Sequence, residues 1–332
     1  MIGSVVTTGQ VNGRAAAALI RDGKLEDLLI DPPDGTPPPG TIFRAIADRP
    51  AKGLGGQFLR LPGDLKGFLR QGQIPAGRTA LVQITGFAEP GKAIPVTGKP
   101  LFKGRYVIVT PSARGINISR AIRDENRHVS LKELVADTCP DVTGLILRSN
   151  AEHADDVDIA DELTALHQLA QSVTHDDGTA AELLLDGPTA PELAWMEWDH
   201  DAGTPASFDD FEVEDLIGQM RQSFVDLGTA SAYIEPTRAL VAVDVNTGGD
   251  TSPAAGLKAN IALARDLPRL LRCKGLGGQI TIDFAPFPKK DRKVLEHNLR
   301  AAFKADSIET ALVGWTPLGH FELNRKRARL PL

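Results

Sequence analysis

Three residues late in the chain have types and spacing suited to chemistry: Asp244, Asn246 and Asp283. Asp244 and Asn246 close the apolar run ALVAVDVN; being two apart, they fall on one face of a strand. Asp283 closes a second run, GGQITIDF. A helix-forming segment lies between the runs, so a crossover makes the two strands parallel neighbours. Both carboxylates then reach the carboxyl ends of strands, where open α/β sheets place their sites. Carboxylates held that close repel, and taking them out of water is costly. A divalent cation relieves both costs. Hard oxygen ligands with retained waters suit Mg²⁺, above all when a substrate supplies phosphate oxygens. Spacing alone leaves a second reading level with this one. In it, Asp244 caps the turn of the following NTGGD, and Asp283 caps the helix after FAPFPKK.

The elements that must position these groups follow from the pattern around them. From residue 232 the runs AYIEP, ALVAVDVN, GGQITIDF and TALVGWTP read as strands, with helices near 254–272 and 290–305. This alternation predicts an α/β layer whose strands are at least partly parallel. Residues 40–110 hold short alternating pieces punctuated by Gly and Pro, the rhythm of a small all-β barrel. Residues 15–30 read as a hairpin about Asp22-Gly23, and DPPDGTPPPG after it marks a boundary. The middle is mixed. Helices are predicted at 130–137 and 158–173, a strand at TGLILRS, and an acid-led amphipathic helix within 207–227.

Length and composition bound the rest. The 332 residues suffice for two or three compact units, and 42% hydrophobic content excludes wholesale disorder. No apolar run approaches the ~20 residues of a membrane span. The opening MIGSVVTTGQVNGR does not read as a secretory leader. Cys139 and Cys273 form no CxxC pair, which points to the reducing cytoplasm. The net charge of −6 averages opposites. Residues 41–120 carry 13 Lys/Arg against 3 Asp/Glu, whereas residues 151–220 carry 19 Asp/Glu and no Lys or Arg. A basic barrel is the footprint of a polyanion binder, and the economical reading is an OB-type nucleic-acid barrel. The acidic stretch reads as a solvated face with a loop.

The segment VAVDVNTGGD…LKANIALARDLPRLLRCKGLGGQITIDF resembles the catalytic core of the ribonuclease E/G family. The family pattern of an Asp-x-Asn strand, a helix carrying Asn, and Leu-Gly-Gly-x-Ile-x-Ile-Asp-Phe is met by residues of this chain. They are Asp244, Asn246, Asn260, Leu276, Gly277, Gly278, Ile280, Ile282, Asp283 and Phe284. The tail TPLGHFELNRKR resembles the close of the same subdomain. The resemblance implies an endoribonuclease that cleaves single-stranded RNA in RNA processing or decay, leaving 5′-phosphate and 3′-hydroxyl ends. It implies Mg²⁺ on Asp244 and Asp283, with Asn246 positioning the attacking water or the aspartate. It also implies an α+β multidomain fold. Ribonuclease-H-like pieces at 1–37 and 181–230 would enclose an OB-type barrel at 38–103 and a sensor-like unit at 104–180. A deoxyribonuclease-I-like catalytic unit would occupy 231–332.

Upstream the match is looser. GGQFLRLPGDLKGFL resembles the family's RNA-binding barrel, with Phe58 and Phe68 at its two exposed phenylalanines and Lys92 at its lysine. Bases stack on such rings and Lys pairs a phosphate; the other reading makes both rings barrel core. GLILRS resembles the 5′-monophosphate sensor, with Arg148 and Ser149 at its Arg and Thr. Otherwise Arg148 is a strand-end arginine answering the acids of 151–162. The basic end Arg325 to Arg329 would line the RNA path or be a solvated terminus.

The chain also departs from the pattern. Asn246 runs straight into Thr247-Gly248-Gly249-Asp250, where the family has a longer loop. The family's CPxCxG zinc-link does not occur, so that route to a homo-oligomer has no support, and no scaffold tail follows. His128, His153, His167, His175, His200, His297 and His320 form no HxxxH or HExxH pattern, and each reads as surface or packing rather than a ligand. The rival function is an RNA-binding protein on a ribonuclease fold with weak or no cleavage. A metabolic α/β enzyme is the third class, and it lacks a proper GxGxxG.

Overall fold

Asn12-Gly13 and Asp22-Gly23 all have positive φ, between 51° and 78°. That is the backbone a two-residue hairpin turn requires. They fold β1 (Ser4–Val11), β2 (Arg14–Arg21) and β3 (Lys24–Ile30) into a meander. The computed structural model describes residues 3–51, 53–70, 74–198 and 206–332. The chain divides into two units, Asp31–Asp201 and the pair of segments Met1–Ile30 and Ala202–Leu332.

In the unit of Asp31–Asp201, five strands close a barrel: β4 (Ile42–Ala51), β5 (Gly56–Arg60), β6 (Lys66–Arg70), β7 (Thr79–Ile84) and β8 (Ile94–Thr97). Closure follows because β4 pairs with both β5 and β7. Its inside is filled by Phe43, Ala45, Leu59, Leu69, Val82 and Ile84. A second sheet is built from β9 (Phe102–Lys103), β10 (Val107–Val109) and β11 (Gly115–Ile118). Beyond α1 (Glu125–Thr138), its fourth strand β12 (Gly144–Leu147) lies between β10 and β11. The helix α2 (Asp156–Thr174) packs Ile159 and Leu163 into the same core as Leu145 and Leu147. Then β13 (Glu182–Leu185) pairs with β4, and α3 (Ala190–Glu197) follows.

Most of the described acids of 151–220 are exposed, as composition suggests, but several also hold partners within the fold. The Glu162 carboxylate accepts the backbone amides of Arg105, Tyr106 and Val107 at 2.7–2.9 Å. Asp176 and Glu182 grip the buried Arg44 of the barrel, and Asp156 pairs with Arg127. Asp156, Asp176 and Glu182 thus find their arginines upstream, inside the unit of Asp31–Asp201.

In the other unit, β14 (Ala206–Ser207) pairs parallel to β1. The acid-led amphipathic helix expected within 207–227 is α4, Val213–Arg221. Glu212, in the left-handed region at φ 50°, separates it from the turn before. A six-stranded sheet then forms from β15 (Phe224–Asp226), β16 (Ser231–Pro236) and β17 (Val241–Asn246). It continues past α5 (Ala255–Cys273) with β18 (Gly278–Asp283). Past α6 (Arg292–Ala305) come β19 (Thr310–Trp315) and β20 (Phe321–Arg325). The order is β15-β16-β17-β18-β20-β19, with β17 and β18 parallel and the other neighbours antiparallel.

Alternation makes this sheet one-sided. Val241, Val243, Val245, Ile280 and Ile282 point into a core filled by Leu263, Leu267, Leu270 and Leu271 of α5 and Leu295, Leu299 and Phe303 of α6. The α5 apolar positions recur at helical spacing, so one stripe of the helix is buried. The far side of α5 packs on β3, with Cys273 in the hairpin core. Among the described residues, no helix is long and apolar enough to cross a membrane.

Candidate active site

The burial that drives Val243 and Ile282 inward turns Asp244 and Asp283 outward on the open face of the sheet. The register pairs Asp244 directly with Asp283 across the parallel strands. Neighbouring strands lie roughly 4.8 Å apart, so the two carboxylates share one patch. Asn246 is on the same face, and its Nδ2 donates to Asp244 Oδ2 at 2.9 Å. That bond orients the Asp244 carboxylate and leaves its other oxygen for a ligand. Neither aspartate caps a turn or a helix: the α6 N-cap is Asp291, and the turn amide of Ser252 is taken by Asp250. The capping reading of the sequence is therefore set aside.

Two buried devices hold the Asp283 strand end against α5. Asn260 Nδ2 donates to the Ala285 carbonyl at 2.9 Å, and the Ala285 amide donates to Asn260 Oδ1 at 3.0 Å. Gly256 completes the contact, because a Cβ there would stand 1.9 Å from the Pro286 carbonyl oxygen. Gly248, at φ 59°, gives the short loop after Asn246 its left-handed turn. Asp250 in that loop stays well ionised, since the Ser252 amide and Lys258 hold its pKa below the ordinary carboxylate range.

His320, which no spacing in the sequence singled out, lies with Nε2 3.9 Å from Asp283 Oδ1. It sits in the β19–β20 turn, and β20 is inserted beside β18, so only the strand order brings it there. The donor set fits a hard cation that keeps waters. The two carboxylates are exposed register partners, and among the described residues no group of three or more His, Cys, Asp or Glu is placed to hold a metal ion, so solvent or substrate oxygens would complete the shell.

The remaining site residues lie in the unit of Asp31–Asp201. Phe58 and Phe68 are cross-strand partners with ring centroids 5.2 Å apart. Both rings lie off the barrel core, which takes the alternate residues Leu59 and Leu69, so the core reading is set aside. Lys92 is exposed and pairs with Glu89 at 2.6 Å. Arg148 is committed to protein partners. Its Nη1 donates to the carbonyls of Gly104 and Met196, and its Nη2 to Glu197 Oε2 at 2.8 Å. Lys103 pairs with the same carboxylate. The acid that answers Arg148 is thus Glu197, not one from 151–162. Ser149 is exposed and opens a short 3₁₀ turn.

In the basic C-terminal end Lys326 is exposed, whereas Arg325 and Arg329 correct both readings. Arg325 is fully buried on Asp306, and Arg329 pairs with buried Asp27, so neither lines a surface path or hangs in solvent. Arg272 joins this network through Glu26 and Asp306. Burial alone would raise the Asp27 pKa, but Arg329 and Arg272 outweigh it and hold the carboxyl below its usual range.

Comparison with known proteins identifies the family. A model of the Ribonuclease E/G family matches residues 102–195 and 196–328. Ribonuclease G of Salmonella typhimurium (strain SL1344) is 29% identical over 314 residues, which cover 80% of this chain and 62% of that protein. Ribonuclease E of Nostoc sp. (strain PCC 7120) is 27% identical over 375 residues, covering 94% of this chain and 54% of that protein. Ribonuclease E of Escherichia coli (strain K12) is 26% identical, covering 93% of this chain and 35% of its own length. The chain therefore spans 62% or less of each of these relatives.

Proposed function

Because this chain belongs to the ribonuclease E/G family, we propose that it is an endoribonuclease that cleaves single-stranded RNA in RNA processing or decay. The observation that carries this reading is the in-register pair Asp244 and Asp283 on one open sheet face, with Asn246 bonded to Asp244. Asp244 and Asp283 would hold Mg²⁺ through one oxygen or more each. When bound, the ion supplies a water of lowered pKa and neutralises charge on the phosphate. Asn246 keeps the Asp244 carboxylate turned toward the patch. The products are a 5′-phosphate and a 3′-hydroxyl.

The barrel is read as an OB-type RNA module. Phe58 and Phe68 would receive bases, and Lys92 a phosphate once it leaves Glu89. Arg148 and Ser149 are read as the 5′-monophosphate sensor, which requires the phosphate to displace Glu197. The sheet of β15–β20 with α5 and α6 on one face is read as the deoxyribonuclease-I-like unit 231–332. Segments 1–37 and 181–230 are read as the ribonuclease-H-like pieces around the 38–103 barrel and the 104–180 sensor. Two free, buried cysteines support a cytoplasmic setting.

The test is incubation with a 5′-monophosphorylated, AU-rich single-stranded RNA in Mg²⁺ or EDTA, with end-group analysis of the products. Internal cuts in Mg²⁺ alone, bearing 5′-phosphates, support the reading. Tight binding without cleavage in either arm replaces it with an RNA-binding protein on this fold.

A further inference from the structure

The row that joins Asp283 to Asp244 continues across the sheet. Tyr233 on β16 is the register partner of Asp244, and Phe224 on β15 is the register partner of Tyr233. The four residues form a line across four adjacent strands on the open face. Opposed residues in antiparallel pairs are roughly 5 Å apart at Cα, so the Tyr233 ring stands directly beside the first carboxylate. The two rings meet edge-on, with centroids 5.5 Å apart. Both are large apolar groups left open, with Phe224 49% and Tyr233 43% exposed. An exposed aromatic pair on an edge strand and its neighbour is a liability unless something covers it.

Beside the pair lies an open pocket of about 520 Å³. Phe224, Asp226 and Ser231 line it on one side, and Gly248, Gly249 and Asp250 of the loop after Asn246 line the other. That volume falls in the range of small-ligand sites. Its ionisable wall groups are Asp226 and Asp250, the second paired with Lys258 at 3.7 Å, so it offers a phosphate no cation of its own. It is open to a flat, uncharged ring that stacks on Phe224, which Tyr233 adjoins edge-on.

We propose that Phe224 and Tyr233, with this pocket, form a base-stacking subsite that holds the nucleobase next to the scissile phosphate. This rests on the reading of Asp244 and Asp283 as the cleavage site. Stacking is sequence-tolerant because every base has a π-face, so the subsite fixes register without demanding one sequence. A base held on the Tyr233 ring delivers its own phosphate to the adjacent carboxylate row.

The test measures affinity in full-length Asp283→Asn protein, which removes cleavage from the readout. The probes are single-stranded RNAs of one sequence, each with one abasic nucleotide, assayed in Mg²⁺ by fluorescence anisotropy. The account expects Tyr233→Ala and Phe224→Ala to weaken binding about tenfold, and Tyr233→Phe to restore it. One abasic position should cost wild-type rings that factor and cost the Ala variants nothing. Abasic and Ala effects that multiply at every position overturn the subsite, as does unchanged affinity in folded Ala variants, or the absence of RNA binding altogether. Cleavage by the protein with native Asp283 is read separately. Its failure overturns the nuclease reading while leaving the affinity result to judge the stack.

Discussion

Asn260 donates to the Ala285 carbonyl at 2.9 Å and accepts the Ala285 amide at 3.0 Å, tying α5 to the chain just beyond Asp283. Both partners are buried, so Asn260→Ala leaves an amide and a carbonyl unpaired. The expected loss is about 2–4 kcal/mol of stability, read from urea denaturation. RNA cleavage should fall further than the folded fraction does, because the Asp283 strand end loses its anchor. Cleavage that only tracks the folded fraction would make Asn260 a stabilising residue without a positioning role.

Asp27 links folding to pH. Its folded pKa lies below the unfolded value of ~3.9 because Arg329 and Arg272 outweigh its burial. Its stabilisation is complete above the unfolded value and is lost as pH falls through the folded one. Between pH 5 and pH 3 the urea midpoint of the native chain should drop more steeply than that of Asp27→Asn. Equal slopes would mean that the network around Arg329 does not hold this charge.

The cysteines report on the integrity of both units. Burial pushes the Cys273 thiol up to about 12, and burial aided by Asp141 raises Cys139. A thiolate-directed reagent at pH 8 should label neither in the native protein and both in guanidinium chloride. Rapid native labelling of Cys273 would show that the hairpin and α5 part readily.

Glu197 sets the state of Arg148. Glu197→Gln removes the charge that competes with a phosphate for the guanidinium. The expected result is a larger preference for 5′-monophosphate over 5′-triphosphate RNA in cleavage rate, and loss of that preference in Arg148→Ala. The same ratio in all three proteins would exclude Arg148 as the sensor.

Much of the catalytic unit was legible because its signals are local. The alternation VAVDVN and QITID places each aspartate on the face opposite the valines and isoleucines. The helical spacing of Leu263, Leu267 and Leu270 required a crossover, which made β17 and β18 parallel. Asp22-Gly23 declared its hairpin. What stayed hidden depends on pairing between distant segments. The insertion of β20 beside β18 brings His320 to Asp283, and nothing in the TPLGH stretch reports that neighbour. Arg325 and Arg329 look like a basic tail until Asp306 and Asp27 are found to enclose them. Most acids of 151–220 are solvated as they look, and what the sequence hides is that Asp176, Asp156 and Glu197 meet Arg44, Arg127 and Arg148.

Asp244 and Asp283, in register on β17 and β18, are proposed to make together a metal-dependent cleavage site. The direct measurement is the single-turnover rate of internal cleavage of a 5′-monophosphorylated RNA as Mg²⁺ is titrated. Native protein, Asp244→Asn and Asp283→Asn are compared. The account predicts saturable activation by Mg²⁺, none in EDTA, and a loss of about 100-fold or more in each variant. Cleavage that persists in EDTA, or a variant that cuts at the native rate, contradicts it.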